Sequence, residues 1–398
     1  MGLRAEVWDT GYSGVAHSNV ATAVDIPYKI ETVVAEVPLA ETKRFYVPVL
    51  DGIRAVAFGL VFVAHAGLDK VVPGGFGVTV FFFLSGYLIT TLLRLEADRT
   101  GAISLKGFYI RRAFRILPPL YITIAFVAAL GAAHILESPG RWQACLAAIL
   151  SSFNYFKLLA PSHGGLPTGL GVVWSLAIEE HFYLLFPLVY MAFVRRRVAA
   201  KTQAAILLSS CLVALLWRVI LVYGIHISLT VDPPWTYVAT DCRFDAIAWG
   251  CLLAICNNPW FADRSPLLGK YRGYLALGGL ATIVASLLIR NPAYRETFRY
   301  TIQSMALYPI FYYAVASPSA QIIRWLSWKP LRWIGWTSYS LYLIHDTILL
   351  KFESQFGVHV LKIGVICFIL AALYAAVMRY AVENPLRKVR ARFVTADA

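Results

Sequence analysis

Residues 119–133 and 363–377 contain no Asp, Glu, Lys or Arg, and apolar stretches of this kind recur along the whole chain. Such a segment must be covered by protein or by lipid, and runs near 20 residues match the thickness of a bilayer. Only 15% of the 398 residues are charged, against about a quarter in a soluble domain. No Ser-, Pro- or Gly-rich linker separates the apolar segments. The pattern predicts one all-α, polytopic transmembrane helix bundle.

Residues 1–44 differ in composition. They mix acidic, polar and small residues and lack the basic start and apolar run of a signal peptide. They are expected to form a cytoplasmic, largely disordered tail. The membrane domain is expected over residues 45–390, and a second cytoplasmic tail over 391–398.

Apolar segments fall at about 51–68, 76–93, 114–136, 142–158, 174–194, 203–223, 240–256, 272–289, 300–317, 333–350 and 359–382. Segment 142–158 is the weakest, and the distribution of Lys and Arg decides its place, because basic residues accumulate on the cytoplasmic side. If it does not span and the N-terminus is inside, inner segments hold 24 basic residues and outer segments seven. If it does span, the split becomes 15 against 16 and the bias vanishes. Ten spans with both termini cytoplasmic is the expected topology, in the inner (cytoplasmic) membrane, with 142–158 on or dipping into the outer face.

The net charge of +14 is read as this topology signal, so the lipid bilayer, and no nucleic acid, is the expected partner. Six cysteines lie mainly in apolar stretches without C-x-x-C or Cys/His spacing. They are expected as packing residues, and no metal site is expected.

Ionisable residues inside spans are expensive, and are functional candidates by default. Here they form two layers. The inner one holds Asp51 and Arg54, the Arg111, Arg112 and Arg115 cluster, and Glu383 with Arg387; the outer one holds His65, Glu179, Glu180, Arg243, Asp245 and His345. Span 1 joins them, because Arg54 and His65 are eleven residues apart. That spacing is three helical turns plus about 20°, so they share a face at about 16 Å separation. A cation at the cytoplasmic end and an imidazole deep in the same groove suit an elongated anionic molecule with a slender arm, the shape of acyl-CoA. Arg112 and Arg115 share a face by i,i+3 spacing and form a candidate phosphate clamp. Glu179 shares a face with Ser175 and Tyr183 and is expected to face the site, while Glu180 is expected to pair with a cation such as Arg243. Ser85 lacks the G-x-S-x-G frame and is read as packing, and Gly74-Gly75-Phe76-Gly77 as a turn.

Seven stretches then appear in an order that resembles the acyltransferase 3 family of membrane O-acyltransferases. They are Leu50-Asp51-Gly52-Ile53-Arg54-Ala55 running to His65, Phe81-Phe82-Phe83-Leu84-Ser85-Gly86-Tyr87, and Phe108-Tyr109-Ile110-Arg111-Arg112-Ala113-Phe114-Arg115. Further on come Trp174-Ser175-Leu176-Ala177-Ile178-Glu179-Glu180-His181, Arg243-Phe244-Asp245-Ala246, Ser338-Tyr339-Ser340-Leu341-Tyr342-Leu343-Ile344-His345 and Glu383-Asn384-Pro385. The family modifies lipopolysaccharide, capsule, exopolysaccharide, Nod factor and some macrolides. The resemblance implies acyl-CoA as donor substrate, with no permanently bound cofactor, and a carbohydrate or glycolipid acceptor. It implies Arg112 and Arg115 in donor binding and His65 as catalytic residue, with Arg54 and Glu179 needed nearby. It brings in Asp51, Arg243, Asp245, Tyr339, His345 and Glu383 as further site residues. A separate periplasmic protein is an expected partner.

The expected reaction is acetyl transfer to a hydroxyl, with neutral His65 taking the hydroxyl proton and Glu179 orienting the imidazole, as a triad carboxylate does. A transient acyl-histidine is the other route, and the sequence does not separate the two. The rival function is a secondary transporter or flippase, which predicts internal repeats; no convincing repeat is found. Reporters fused after residues 200 and 398 are expected to report cytoplasm, and one at about residue 230 the outside. A C-terminal fusion reporting outside would rule out the ten-span topology.

Overall fold

The computed structural model describes residues 45–394 except 230–232, 262–264 and 357–359. The tails expected at 1–44 and 395–398 lie outside the described residues. Those described form α-helices and short 3-10 and π turns, with no strand among them. In chain order the first helices are α1 (Pro48–Val63), α2 (Gly74–Thr100), α3 (Leu105–Ala132), α4 (Trp142–Ile149), α5 (Phe153–Leu159), α6 (Trp174–Arg195) and α7 (Ala200–Val219). They are followed by α8 (Trp235–Val238), α9 (Thr240–Cys256), α10 (Pro266–Leu288), α11 (Pro292–Glu296), α12 (Phe298–Ala316), α13 (Gln321–Leu326), α14 (Lys329–Phe356), α15 (Val360–Val377) and α16 (Asn384–Val394).

Among the described residues, seven helical stretches are long and apolar enough to cross a membrane: 48–68, 74–100, 105–132, 170–195, 200–224, 266–288 and 363–389. The three others expected as spans are α9, α12 and α14. α9 is only 17 residues long and carries Asp241, Arg243 and Asp245. Its neighbours α2, α7 and α12 enclose it, so its side chains meet protein rather than lipid and are free to be polar. Segment 142–158 breaks into α4 and α5, of eight and seven residues, with Ser151 between them at φ 57°. Neither is long enough to span a bilayer.

Burial sorts the helices into layers. The apolar window of α2 is 72% buried, that of α10 only 17% and that of the stretch containing α15 22%. α2 is therefore the central post, and α10 and α15 are outer helices whose leucines and isoleucines face outward. Gly74-Gly75-Phe76-Gly77, expected as a turn, instead forms the first turn of α2.

Two glycines bring α2 and α9 into backbone contact. A Cβ on Gly86 would overlap the Ile247 carbonyl oxygen, and one on Gly250 would overlap that of Phe83. This is the small-residue packing that lets membrane helices approach closely. α7 is bound to α9 by an ion pair, Arg218 Nη2 to Asp245 Oδ2 at 2.8 Å, with both side chains fully buried. Arg218 also donates to the carbonyls of Thr297 and Cys242 and to Thr301 Oγ1, so its charge is well satisfied. Gly86→Ala is expected to destabilise the folded protein by about 1–3 kcal/mol through overpacking, read as a lower thermal midpoint in detergent. An unchanged midpoint would show that the crossing yields without cost.

Candidate active site

The site begins at the N-terminal end of α1, where Pro48 opens the helix. Asp51 accepts from Arg54 Nη1 at 3.0 Å, from Tyr46 Oη at 2.9 Å and from Trp336 Nε1 of α14 at 2.7 Å. A Cβ on Gly335 would collide with the Asp51 backbone, and one on Gly52 with the Leu326 carbonyl. α1 is thus pressed against α14 at Gly335 and against the end of α13 at Gly52, beneath Arg54, and the aspartate sets the direction of its guanidinium.

Above this contact lies a cavity of about 100 Å³. Arg54, Arg112, Arg115, Glu179, Glu180 and Tyr339 all line it, so α1, α3, α6 and α14 each contribute a polar group. Arg112 sits with its guanidinium carbon 4.8 Å from the centroid of the Tyr183 ring. Arg111, three positions before Phe114, is instead held by Glu96 at 2.8 Å. Arg115 is exposed and makes no ion pair among the described residues, which leaves its planar fork open to an anion. Tyr339 Oη donates to the Ile116 carbonyl at 2.9 Å, tying α14 to the turn that carries Arg115. Ser340 donates to Glu383 Oε1 at 2.8 Å, so Glu383 anchors the far end of the chain to α14.

The Glu179 carboxylate is not behind His65. It accepts from Ser85 Oγ at 2.9 Å and from Tyr183 Oη at 3.0 Å, and Tyr183 Oη lies 3.1 Å from Ser85 Oγ. Ser85 therefore belongs to the polar wall of the cavity and is more than a packing residue. Burial explains the arrangement: a carboxylate in an apolar bundle needs donors, and two hydroxyls on α2 and α6 supply them.

His65 stands in a different cluster. α1 changes from α- to π-helix at Ala64–Leu68, and Gly67 has φ 95°, a conformation that favours glycine. His65 Nδ1 lies 3.0 Å from His345 Nε2 and 3.3 Å from Asp346 Oδ1. These ligand-type atoms all lie within 4.8 Å of one another, close enough to hold a metal ion. Arg54 and His65 thus both turn toward α14, as their eleven-residue spacing requires, but the carboxylate beside the imidazole is Asp346.

Arg243 and Asp245 are placed away from the cavity. Arg243 donates to Thr79 Oγ1 at 3.1 Å and stacks on Tyr300 with its guanidinium carbon 3.9 Å from the ring centroid. The aromatic ring takes the place of the expected partner Glu180. Asp245 is the counter-ion of Arg218. Sequence reasoning missed Arg218, a cation near the end of an apolar segment, and Asp346, whose signal was its position next to His345.

An arginine-lined cavity in a bundle of apolar helices, joined by one helix to a histidine pair, is the polar centre of a multi-pass membrane protein. The acyltransferase domain family matches residues 47–379, and the chain belongs to this acyltransferase 3 family. It is 33% identical over 320 residues to the peptidoglycan O-acetyltransferase OatA of Listeria monocytogenes, which covers 77% of this chain and 50% of that protein. It is 30% identical over 363 residues to the O-acetyltransferase OatA of Staphylococcus aureus, covering 86% of this chain and 57% of that one. The chain spans about half the length of these curated relatives. No solved structure matches it.

Proposed function

We propose that this protein transfers an acetyl group from acetyl-CoA to a hydroxyl of a cell-surface carbohydrate polymer. The observation that carries the proposal is the arrangement of Arg54, Arg112 and Arg115 around one cavity, with His65 three turns further along the helix that bears Arg54. Guanidinium groups grip phosphate oxygens in pairs, so the cavity suits the charged head of the donor. The pantetheine arm then follows α1 toward His65. Family membership favours this reading over a transporter, and the names of the relatives favour a peptidoglycan-type acceptor over lipopolysaccharide.

In the reaction, the acceptor oxygen attacks the thioester carbonyl carbon while its proton passes to the His65 imidazole. The tetrahedral intermediate collapses, the carbon–sulfur bond breaks, and the imidazolium returns the proton to the departing thiolate. The products are the ester and free CoA. Asp51 and Glu179 act by holding Arg54 and the Ser85–Tyr183 wall in place.

The two ends of the first span are expected to fail differently when full-length protein in nanodiscs is titrated with labelled acetyl-CoA and CoA release is followed. Arg54→Ala removes a contact made in both ground and transition states, so KM for the donor rises with the smaller change in kcat. His65→Gln cannot take the proton, so kcat falls by about 10²–10⁴ with donor affinity near normal. Near wild-type turnover of His65→Gln would sink the assignment of the base. Arg115→Lys keeps the charge but loses the fork, and weaker donor binding with normal membrane insertion is expected; wild-type affinity would reduce the cluster to a topology anchor.

A further inference from the structure

The hydrogen bonds around the histidine pair specify where each proton sits. His345 Nδ1 is 2.7 Å from the Tyr342 carbonyl oxygen. A carbonyl oxygen only accepts, so His345 Nδ1 carries a hydrogen. As a neutral ring His345 has no second N–H, and its Nε2 is an acceptor. The atom 3.0 Å away from that Nε2 is His65 Nδ1, which must therefore be the donor. His65 is left with its free lone pair on Nε2.

The rest of the local structure holds this arrangement rigidly. His345 is fully buried. Phe58 meets its ring edge to face at 5.6 Å between centroids, Phe62 lies at 6.3 Å and Tyr342 at 5.5 Å. The two imidazoles are nearly parallel, with 11° between their planes and 5.1 Å between centroids. The π turn at Ala64–Leu68 with Gly67 at φ 95° interrupts the helical ladder at His65, and π turns of this kind often mark functional positions. The His65 side chain is 36% exposed, so one side of the ring is held while part of it stays accessible.

We propose that His345 is the positioning residue for His65, fixing the proton on Nδ1 so that Nε2 is the base. This rests on the reading of His65 as the proton acceptor. Asp346 Oδ1, 3.3 Å from the same Nδ1, shares that hydrogen and stabilises the imidazolium once Nε2 has taken the hydroxyl proton. Tyr342 links this pair to the donor cavity, because its carbonyl anchors His345 and its side chain lines the cavity. Its hydroxyl is 2.8 Å from Ser175 Oγ and donates to the Val172 carbonyl at 3.2 Å, which pins it between α6 and α14.

The test compares His345→Phe, His345→Gln, Asp346→Asn and His65→Gln in the donor titration, each after a folding check. His345→Phe keeps a ring but removes the acceptor, and kcat is expected to fall about 10²-fold with donor KM unchanged, the lower end of what a positioned base contributes. His345→Gln restores an acceptor oxygen to the same region and is expected to recover to within about tenfold of wild type. Asp346→Asn, which keeps an acceptor but removes the charge, is expected to lower kcat about tenfold. Wild-type kcat in His345→Phe overturns the proposal. So does a His345→Gln protein that folds and binds donor but turns over at less than roughly one-hundredth of wild type, and this variant alone decides if His345→Phe does not fold. Activity lost to EDTA and restored by zinc would also overturn it, because the three atoms would then be metal ligands. Turnover in His65→Gln sinks the underlying assignment instead, whereas an inactive His65→Gln beside an active His345→Phe sinks the positioning role alone.

Discussion

Everything at the site depends on the pairing of α1 with α14. The two helices meet where Asp51 accepts from Tyr46, Arg54 and Trp336, and Gly335 removes the side chain that would hold their backbones apart. A carboxylate with three donors inside an apolar bundle is a fixed point, because moving it would leave a buried charge without its cation and its hydrogen bonds. From this point the helices run together to His65 and His345. The arginine cavity and the histidine pair are two stations on one interface.

That interface is supported from outside by contacts of another kind. α2 and α9 cross at backbone distance through Gly86 and Gly250, and α2 delivers Ser85 to the cavity one residue before the crossing. Packing and chemistry are therefore neighbours on the same turn: the glycine sets how deeply the helix sits, and the serine reaches Glu179 and Tyr183 because of that depth. Pro118 and Pro119 follow Arg115 within α3, where their missing N–H groups locally weaken the helical ladder. Tyr339 bonds to the carbonyl of Ile116 in that same turn.

The helical class of the fold was legible because apolar stretches without charge are a strong signal, and the arginines were legible because charge beside such stretches is rare. Arg54, Arg112, Arg115 and Glu179 do share one cavity. What the sequence did not reveal is which polar groups meet across helices. Helical spacing placed Arg54 and His65 on one face, but it cannot show that α14 brings Asp346 to the imidazole, or that Glu179 is taken by two hydroxyls. Asp245 and Arg243 carried the same local signal as the cavity residues. Only the tertiary packing of α7, α9 and α12 separates them, with one turned to Arg218 and the other to a tyrosine ring. The helix α9 was also hard to weigh by hydropathy, since a helix surrounded by protein has no need to be lipophilic.

The buried pair of Arg218 and Asp245 has a consequence for how the chain reaches its membrane. Each of α7 and α9, taken alone, would carry an uncompensated ion into hydrocarbon at a cost of several kcal/mol. Joined, the two charges cancel, and Thr297 and Thr301 at the start of α12 then complete the donors of Arg218. The favourable insertion unit is therefore the two helices with the connection between them, rather than either helix in turn. A chain emerging from the ribosome has α7 some twenty residues ahead of α9, so the arginine must wait near the bilayer surface, or at the insertion machinery, until its partner has been made.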